Sequence, residues 1–166
     1  MNIAVAGTGY VGLVSGVCLA HTGHRVTCVD VDAAKIRMMR EGKSPIYEEG
    51  LEQLMAEVAS RVTYTTDAAS AYRCADVVII GVGTPEKKDG SANLSHVFQA
   101  AREIAHAVER DCVVVVKSTV HIGTNEKVES VIKAELKHPV WVEVASNPEF
   151  LAQGTAVRDT LKASRI

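Results

Sequence analysis

Short apolar runs recur along the chain, and stretches with helical periodicity separate them. Six runs predict strands, and they are Ile3–Ala6, Arg25–Asp30, Arg61–Thr65, Asp76–Ile80, Cys112–Val116 and Trp141–Ala145. Between them apolar residues recur three and four positions apart, which is typical of helices with one buried face. The clearest such face comprises Leu94, Val97, Phe98, Ala101, Ile104, Ala105 and Val108. This alternation predicts an α/β fold, a doubly wound parallel sheet with helices on both faces.

Three glycines follow the first predicted strand at the spacing G-x-G-x-x-G. Gly7 permits a tight turn, Gly9 lets a pyrophosphate approach the backbone, and Gly12 lets the next helix pack closely on its strand. The N-terminus of that helix would then face the anion with free N–H groups and a positive dipole end. The motif predicts a Rossmann-type dinucleotide-binding fold with strand order 3-2-1-4-5-6.

An acidic residue, Asp30, ends the second predicted strand about 20 residues beyond the glycines. A carboxylate there accepts hydrogen bonds from ribose hydroxyls and repels a 2′-phosphate, so the expected cofactor is NAD rather than NADP. The alternative is a solvated acid at a strand end or helix cap. Asp32, two residues later, is expected to cap the helix that contains Lys35, and Asp67 is expected to cap a short helix over Ala68–Arg73.

Length and composition indicate one globular domain that comprises residues 1–166. Hydrophobic residues make up 47% and charged residues 23%, and the net charge is −2. We expect neither a nucleic acid nor a membrane as partner, because there is no basic excess and no apolar run near ~18 residues. The first strand begins close to Met1, so we expect no signal peptide and a cytoplasmic location.

The four cysteines, Cys18, Cys28, Cys74 and Cys112, lie in apolar patterns and are expected to be buried free thiols. Cys18, His21 and His24 have a spacing that could suit a metal. However, Gly23 should end the helix before His24, so we favour a helix end with a nearby histidine and expect no metal site.

Loops after the strands carry the remaining candidate chemistry, because ligands bind at the carboxyl edge of such sheets. Gly81–Pro85 suits a backbone that lies along a cofactor, with the Thr84 hydroxyl as a hydrogen-bonding group, although an ordinary turn is the alternative. Ser118 and Thr119 place two hydroxyls after the fifth strand. A Ser–Lys nucleophile with Lys117 is disfavoured, since adjacent strand residues point to opposite faces.

Glu149 lies in an otherwise apolar loop after the sixth strand, between Pro148 and Phe150. A carboxylate in this place could act as a base or orient a water molecule. The alternative is an acid that caps a helix.

Several of these stretches together resemble the UDP-glucose/GDP-mannose dehydrogenase family. They are Gly7–Leu13, Pro45–Glu48 with Gly50–Leu51, Gly83–Pro85, Lys117–Val120 with Gly123–Thr124, and Asn147–Leu151. The family oxidises the primary alcohol of a nucleotide sugar, such as C6 of UDP-glucose, to a carboxylate. It uses two molecules of NAD⁺ and a cysteine-bound thiohemiacetal and thioester.

The resemblance implies roles for individual residues. The implied cofactor contacts are Gly7, Gly9, Tyr10, Val11, Gly12, Asp30, Lys35, Thr84, Pro85, Thr119 and Glu149. The implied nucleotide-sugar contacts are Ala145, Ser146, Asn147, Pro148, Glu149, Phe150 and Leu151. Thr119 would line the nicotinamide end as a catalytic residue, and Glu149 would position or activate the water that hydrolyses the thioester.

Two departures from the family pattern bear on function. Ala152-Gln153 stands where the family usually has Arg-Glu, which leaves the sugar and the nucleotide open. The chain also ends at Ser164–Ile166, as if entering a strand, before the family's central helix and second domain, which carry the nucleophilic cysteine. We therefore interpret it as the NAD-binding domain of a longer enzyme, expected to be a homodimer or larger.

Other functions remain open at this point. They are a sugar dehydrogenase of different specificity, another alcohol or acyl-group dehydrogenase of the same fold, and a non-catalytic NAD-sensing module. The segment Asn147–Leu151 disfavours a sensor, which has no need of a carboxylate beside the nicotinamide.

Overall fold

The computed structural model describes residues 1–162, in which six strands form one parallel sheet. The strands are β1 Asn2–Ala6, β2 Arg25–Val29, β3 Val62–Thr65, β4 Val77–Ile80, β5 Cys112–Val116 and β6 Val142–Ser146. The helices are α1 Tyr10–His21, α2 Ala33–Arg40, α3 Leu51–Glu57, α4 Ala68–Tyr72, α5 Ser95–Ala107, α6 Thr124–Glu135 and α7 Ala156–Leu161. The sheet order is β3-β2-β1-β4-β5-β6, so the predicted fold and strand order are confirmed. The strand expected at Ser164–Ile166 lies outside the described residues.

Each face of the sheet has its own apolar core. Val5 and Ile79 pack with α1 and α3 on one face, whereas Ala4 and Val78 pack with α4, α5 and α6 on the other. The apolar residues of α3 and its C-cap are all buried, namely Leu51, Leu54, Met55 and Val58. Because both faces are covered, the strands can be apolar at successive positions.

Two predicted helix caps are present. The Oδ1 atom of Asp32 accepts hydrogen bonds from the backbone N–H groups of Ala34 (2.8 Å) and Lys35 (3.2 Å) at the start of α2. Asp67 likewise accepts from the N–H of Ser70 at 3.0 Å and caps α4. These bonds satisfy N–H groups that the first turn of a helix leaves without intrahelical partners.

Three glycines allow β1, α1 and β4 to approach each other closely. Gly7 has a φ of +91°, and a β-carbon on Gly12 would lie 2.0 Å from the carbonyl oxygen of Gly7. A β-carbon on Gly81, directly after β4, would lie 3.0 Å from the α-carbon of Gly12. The N-terminus of α1 is therefore fixed at the carboxyl ends of the two central strands, as the motif predicts.

The cysteines correct one prediction. Cys18, Cys28 and Cys112 are buried free thiols, and burial raises their pKa values to about 11, about 12 and about 11. Cys74 is free but exposed, because it lies in the turn between α4 and β4 rather than within either element.

Helix α1 ends at His21, which leaves His24 beyond it in the chain. Among residues 1–162, no three His, Cys, Asp or Glu side chains form a group that could hold a metal ion. Within the same range, no helix has the length and apolar character needed to cross a membrane.

Replacing Gly12 with Ala should destabilise the fold. The added methyl would overlap the backbone of Gly7, and backbone yields less readily than a side chain, so we expect a loss of about 3 kcal/mol or more despite the better helix propensity of Ala. Urea unfolding of the two proteins measures the difference.

Gly83→Ala is the matched control, because a β-carbon there would have no atom within 4 Å. That variant should retain the stability of the original chain. A Gly12→Ala variant as stable as this control would show that the close approach does not hold α1 in place.

Candidate functional site

A cleft of about 420 Å³ opens at the carboxyl ends of β1, β2 and β4. It brings together Gly7, Gly9, Asp30, Lys35 and Pro85, all of which the sequence predicts as cofactor contacts. The other lining residues are Ala6, Val29, Val31, Tyr72, Val82, Gly83, His96, Gln99, Ala100 and Glu103. An apolar floor with polar groups at its margin suits a flat heterocycle joined to a polar sugar.

The N-terminus of α1 adjoins this cleft. Gly9 is its N-cap residue, and a β-carbon there would have no atom within 4 Å. The first turn, within the described part of the chain, contains no acidic side chain. The end of this helix can therefore accept an anion close to bare backbone.

The Asp30 carboxylate ties the end of β2 to the glycine turn. Its Oδ2 atom accepts from the backbone N–H of Thr8 (2.9 Å) and from the Thr8 hydroxyl (2.6 Å), and Oδ1 accepts from the N–H of Asp32 (2.9 Å). Burial alone would raise the pKa of Asp30, but these bonds and the charge of Lys35 together lower it. The group stays ionised, and since a carboxylate has about four acceptor positions, it retains capacity for a further donor.

Sequence reasoning missed three polar residues of α5 that line the cleft, His96, Gln99 and Glu103. They lie three and four positions apart, so they form one stripe of the helix, next to its apolar face. The Gln99 amide donates to Glu103 Oε1 at 2.8 Å, and His96 Nδ1 lies 3.3 Å from the carbonyl oxygen of Gly83. The spacing of three and four residues is a signal in the sequence that could have identified them as one polar stripe of α5.

The two threonines predicted at the nicotinamide end are brought together outside that lining. The Thr84 hydroxyl donates to the carbonyl oxygen of Thr119 at 3.4 Å, which joins the loops that follow β4 and β5. Thr119 is exposed and Thr84 partly so. Both therefore lie at the sheet edge where a ligand would extend from the cleft.

A second hollow, of about 450 Å³, lies on the side of the sheet that α1 and α7 cover. It contains six of the seven predicted nucleotide-sugar contacts, Ala145, Asn147, Pro148, Glu149, Phe150 and Leu151. The other lining residues are Ser15, Leu19, Ile79, Val115, Lys117, Asp159 and Thr160. Ser146 and Thr119 are not among them. The Ser15 hydroxyl is buried and has no hydrogen-bond partner within the described residues.

Lys117 and Ser118 directly follow β5, which ends at Val116, and their side chains bond to different neighbours. The Ser118 hydroxyl donates to the carbonyl oxygen of Val82 at 2.7 Å, whereas the Lys117 ammonium donates to Asn147 Oδ1 at 2.9 Å. Burial lowers the pKa of Lys117, and the opposite charge of Glu149 acts against that effect. The two side chains therefore have different hydrogen-bond partners, which continues to disfavour a nucleophilic pair.

Glu149 is partly buried in the second hollow. Its Oε2 atom accepts from the backbone N–H of Leu151 at 2.6 Å, which closes a turn within its own loop. The carboxylate therefore caps neither α6 nor α7. Within residues 1–162 its Oε1 atom accepts no hydrogen bond, so that oxygen can receive a further donor.

Glu48 is a functional candidate that the sequence reasoning left without a role. It is 6% exposed, and its Oε2 atom accepts from the Tyr10 hydroxyl and from the N–H of Gly154 at 2.8 Å. Oε1 accepts from the N–H of Val157 at 3.3 Å. Burial alone would raise the pKa of Glu48, but these hydrogen bonds together lower it, so the carboxylate is ionised inside the protein.

Comparison with known proteins agrees with this geometry. Residues 1–166 match the sequence profile described as the UDP-glucose/GDP-mannose dehydrogenase family, NAD binding domain. UDP-glucose 6-dehydrogenases of Bacillus subtilis and Rhizobium meliloti are 52% and 50% identical to the whole chain. The chain spans 38% of the length of each of these two relatives.

Solved structures show the same fold. A UDP-glucose dehydrogenase from the archaeon Pyrobaculum islandicum is 41% identical and superposes with a TM-score of 0.91 over 95% of this chain and 38% of its own. A GDP-mannose dehydrogenase from Pseudomonas aeruginosa is 42% identical, with a TM-score of 0.90 over 96% of this chain and 38% of its own. The glycine turn, the acid after β2 and these matches lead to one conclusion: the chain belongs to the UDP-glucose/GDP-mannose dehydrogenase family and is its NAD-binding domain.

Proposed function

We propose that this chain is the cofactor domain of a longer enzyme that oxidises C6 of UDP-glucose to the carboxylate with two molecules of NAD⁺. The observation that carries the proposal is the position of Glu149. Its segment lines a hollow at the same edge of the sheet as the cofactor cleft, on the other side of α1. A cofactor and a second ligand can therefore meet at the ends of β4 and β5.

In this proposal, NAD⁺ supplies the hydride acceptor, and the chain supplies its binding surface. Asp30 and Lys35 would hold the ribose hydroxyls, and the N-terminus of α1 at Gly9 would hold the pyrophosphate. Thr84 and Thr119, whose contact joins the two loops, would line the nicotinamide end. The apolar lining of the cleft and the polar stripe on α5 would hold the adenine.

Glu149 would hold the water that releases the sugar acid, and Thr119 would act at the nicotinamide end. The carboxylate is ionisable, partly buried and fixed by the N–H of Leu151, so it is oriented before a substrate arrives. Lys117 and Asn147 hold the start of the same loop.

None of the four cysteines is suited to the covalent step. Cys18, Cys28 and Cys112 are buried with raised pKa values, and a reactive thiol needs access and a lowered pKa. Cys74 lines a hollow with Asn2 and Arg25, at the opposite edge of the sheet. The nucleophile must then come from a part of the enzyme outside this chain, which supports a longer protein. Its cytoplasmic location and its assembly as a homodimer or larger remain part of the same proposal.

A related nucleotide sugar is the second candidate substrate. Ala152 and Gln153 are exposed and follow the Glu149 segment, where the family usually carries Arg-Glu. Relatives of this fold include the GDP-mannose dehydrogenase described above, so a change at this place can alter which sugar is accepted. A sensor without catalysis is disfavoured by the prearranged Glu149.

Asp30 should make the chain select NAD⁺ over NADP⁺. A 2′-phosphate would meet an ionised carboxylate in a partly desolvated cleft, so we expect NADP⁺ to bind at least about tenfold more weakly. Calorimetric titration of both cofactors measures this ratio. Equal or tighter binding of NADP⁺ would remove Asp30 from the ribose site.

Glu149→Gln in the longer enzyme should slow turnover by about 100-fold or more while the affinity for NAD⁺ changes little, because the amide cannot accept a proton from water. Enzyme-bound thioester should accumulate, and mass spectrometry of the quenched protein detects it. Thr119→Ala should slow turnover less, since water can partly replace a hydroxyl. Unchanged turnover in Glu149→Gln would show that Glu149 only closes its own turn.

A further inference from the structure

We propose that Glu48 is a positioning residue that joins the first turn of α1 to the backbone of residues 154–157 and thereby places the segment that carries Glu149. The role of that segment rests on the proposed function, whereas the connection itself can be measured with a cofactor fragment alone. Glu48 lies in the loop before α3 and lines neither the cofactor cleft nor the hollow that contains Glu149.

Three separate parts of the chain meet at this carboxylate. Tyr10, the first residue of α1, donates its hydroxyl to Glu48. The N–H of Gly154 lies 2.8 Å from Glu48 Oε2 and 2.9 Å from the Tyr10 hydroxyl oxygen, and the N–H of Val157 lies 3.3 Å from Oε1. The junction therefore spans 38 residues to Tyr10 and 106 residues to Gly154.

A carboxylate matches this junction better than any other side chain. It only accepts, and the hydroxyl and N–H groups around it donate. The group is 6% exposed, and losing these bonds would leave an ionised group buried without partners. Burying an ionised carboxylate costs desolvation free energy, so such a group adds little net stability. Its use here is to fix the geometry of the segments that it joins.

The two segments that Glu48 joins have different expected ligands. Tyr10 directly follows Gly9, at the end of α1 that faces the cofactor cleft. Gly154 lies a few residues after Glu149, whose loop is held at its other end by the bond between Lys117 and Asn147. A ligand that orders the first turn of α1 should consequently reduce the opening of the Gly154 amide hydrogen bond, because Tyr10 and Glu48 connect the two.

ADP-ribose is a suitable probe, because it would occupy the glycine turn and the Asp30 site but lacks the nicotinamide that would reach toward Glu149. We compare amide hydrogen exchange at Gly154 by NMR, with and without saturating ADP-ribose, in the original chain, Glu48→Gln and Tyr10→Phe. Asp67→Asn is the control variant, since it makes the same change from carboxylate to amide at the α4 cap, whose hydrogen bond involves none of Tyr10, Glu48 and Gly154.

In the original chain and in Asp67→Asn, ADP-ribose should slow exchange at Gly154 by about fivefold or more. In Glu48→Gln and Tyr10→Phe, both saturated with ADP-ribose, the slowing should fall below about twofold. A Glu48 that only stabilises the fold would speed exchange equally with and without the probe and leave their ratio unchanged.

Slowing of the original size in either junction variant would overturn the proposal, and so would its absence in the original chain. If Glu48→Gln fails to fold, Tyr10→Phe decides by the same criterion, because it removes only the hydroxyl. The exchange measurement involves no sugar oxidation. A negative exchange result would therefore leave the proposed dehydrogenase function standing, and absence of dehydrogenase activity would not change the exchange result.

Discussion

The backbone contact between Gly7 and Gly12 is the constraint on which the rest of the site depends. It brings α1 so close to β1 that a single methyl group would lie 2.0 Å from a carbonyl oxygen. Gly81, directly after β4, approaches Gly12 as well, so the end of β4 is also held close to α1. The helix end, the acid after β2 and the loops after β4 and β5 are consequently held in fixed relation at one edge of the sheet.

Two hollows at that edge lie on opposite faces of the sheet, and their side chains suit different ligands. The cleft beside α5 contains Asp30 and the uncapped end of α1, which suit a ribose and a pyrophosphate. The hollow beside α7 contains Lys117, Asn147 and Glu149, which suit a polar substrate and a water molecule. Helix α1 separates them, and its first residue, Tyr10, makes its contacts on the α7 side through Glu48.

The sequence predicted those features that local patterns determine. Strands buried on both faces produce continuous apolar runs, the glycine spacing reports a tight turn, and Asp32 and Asp67 cap helices that begin within three residues of them. Family resemblance added the segment Asn147–Leu151. The parallel order of the strands followed from the handedness of their connections.

Features that depend on distant partners could not be predicted in this way. Glu48 has no local pattern that distinguishes it from a solvated acid, since its partners lie 38 to 109 residues away. Helix α7 has only six residues, too few to show a periodic pattern. Cys74 was expected to be buried because it was assigned to an apolar helix or strand pattern, yet the chain turns there and exposes it.

Titration of the purified 166-residue chain with NAD⁺, followed by addition of UDP-glucose, tests the central claim most directly. We expect calorimetry to show one bound NAD⁺ per chain. Under the proposed function the binding should be weaker than in the whole enzyme, because another domain would supply one wall of the nicotinamide site. Absorbance should then show no sugar-dependent NADH, because no thiol of this chain faces the site. Failure to bind NAD⁺, or sustained NADH production with UDP-glucose, would contradict the account.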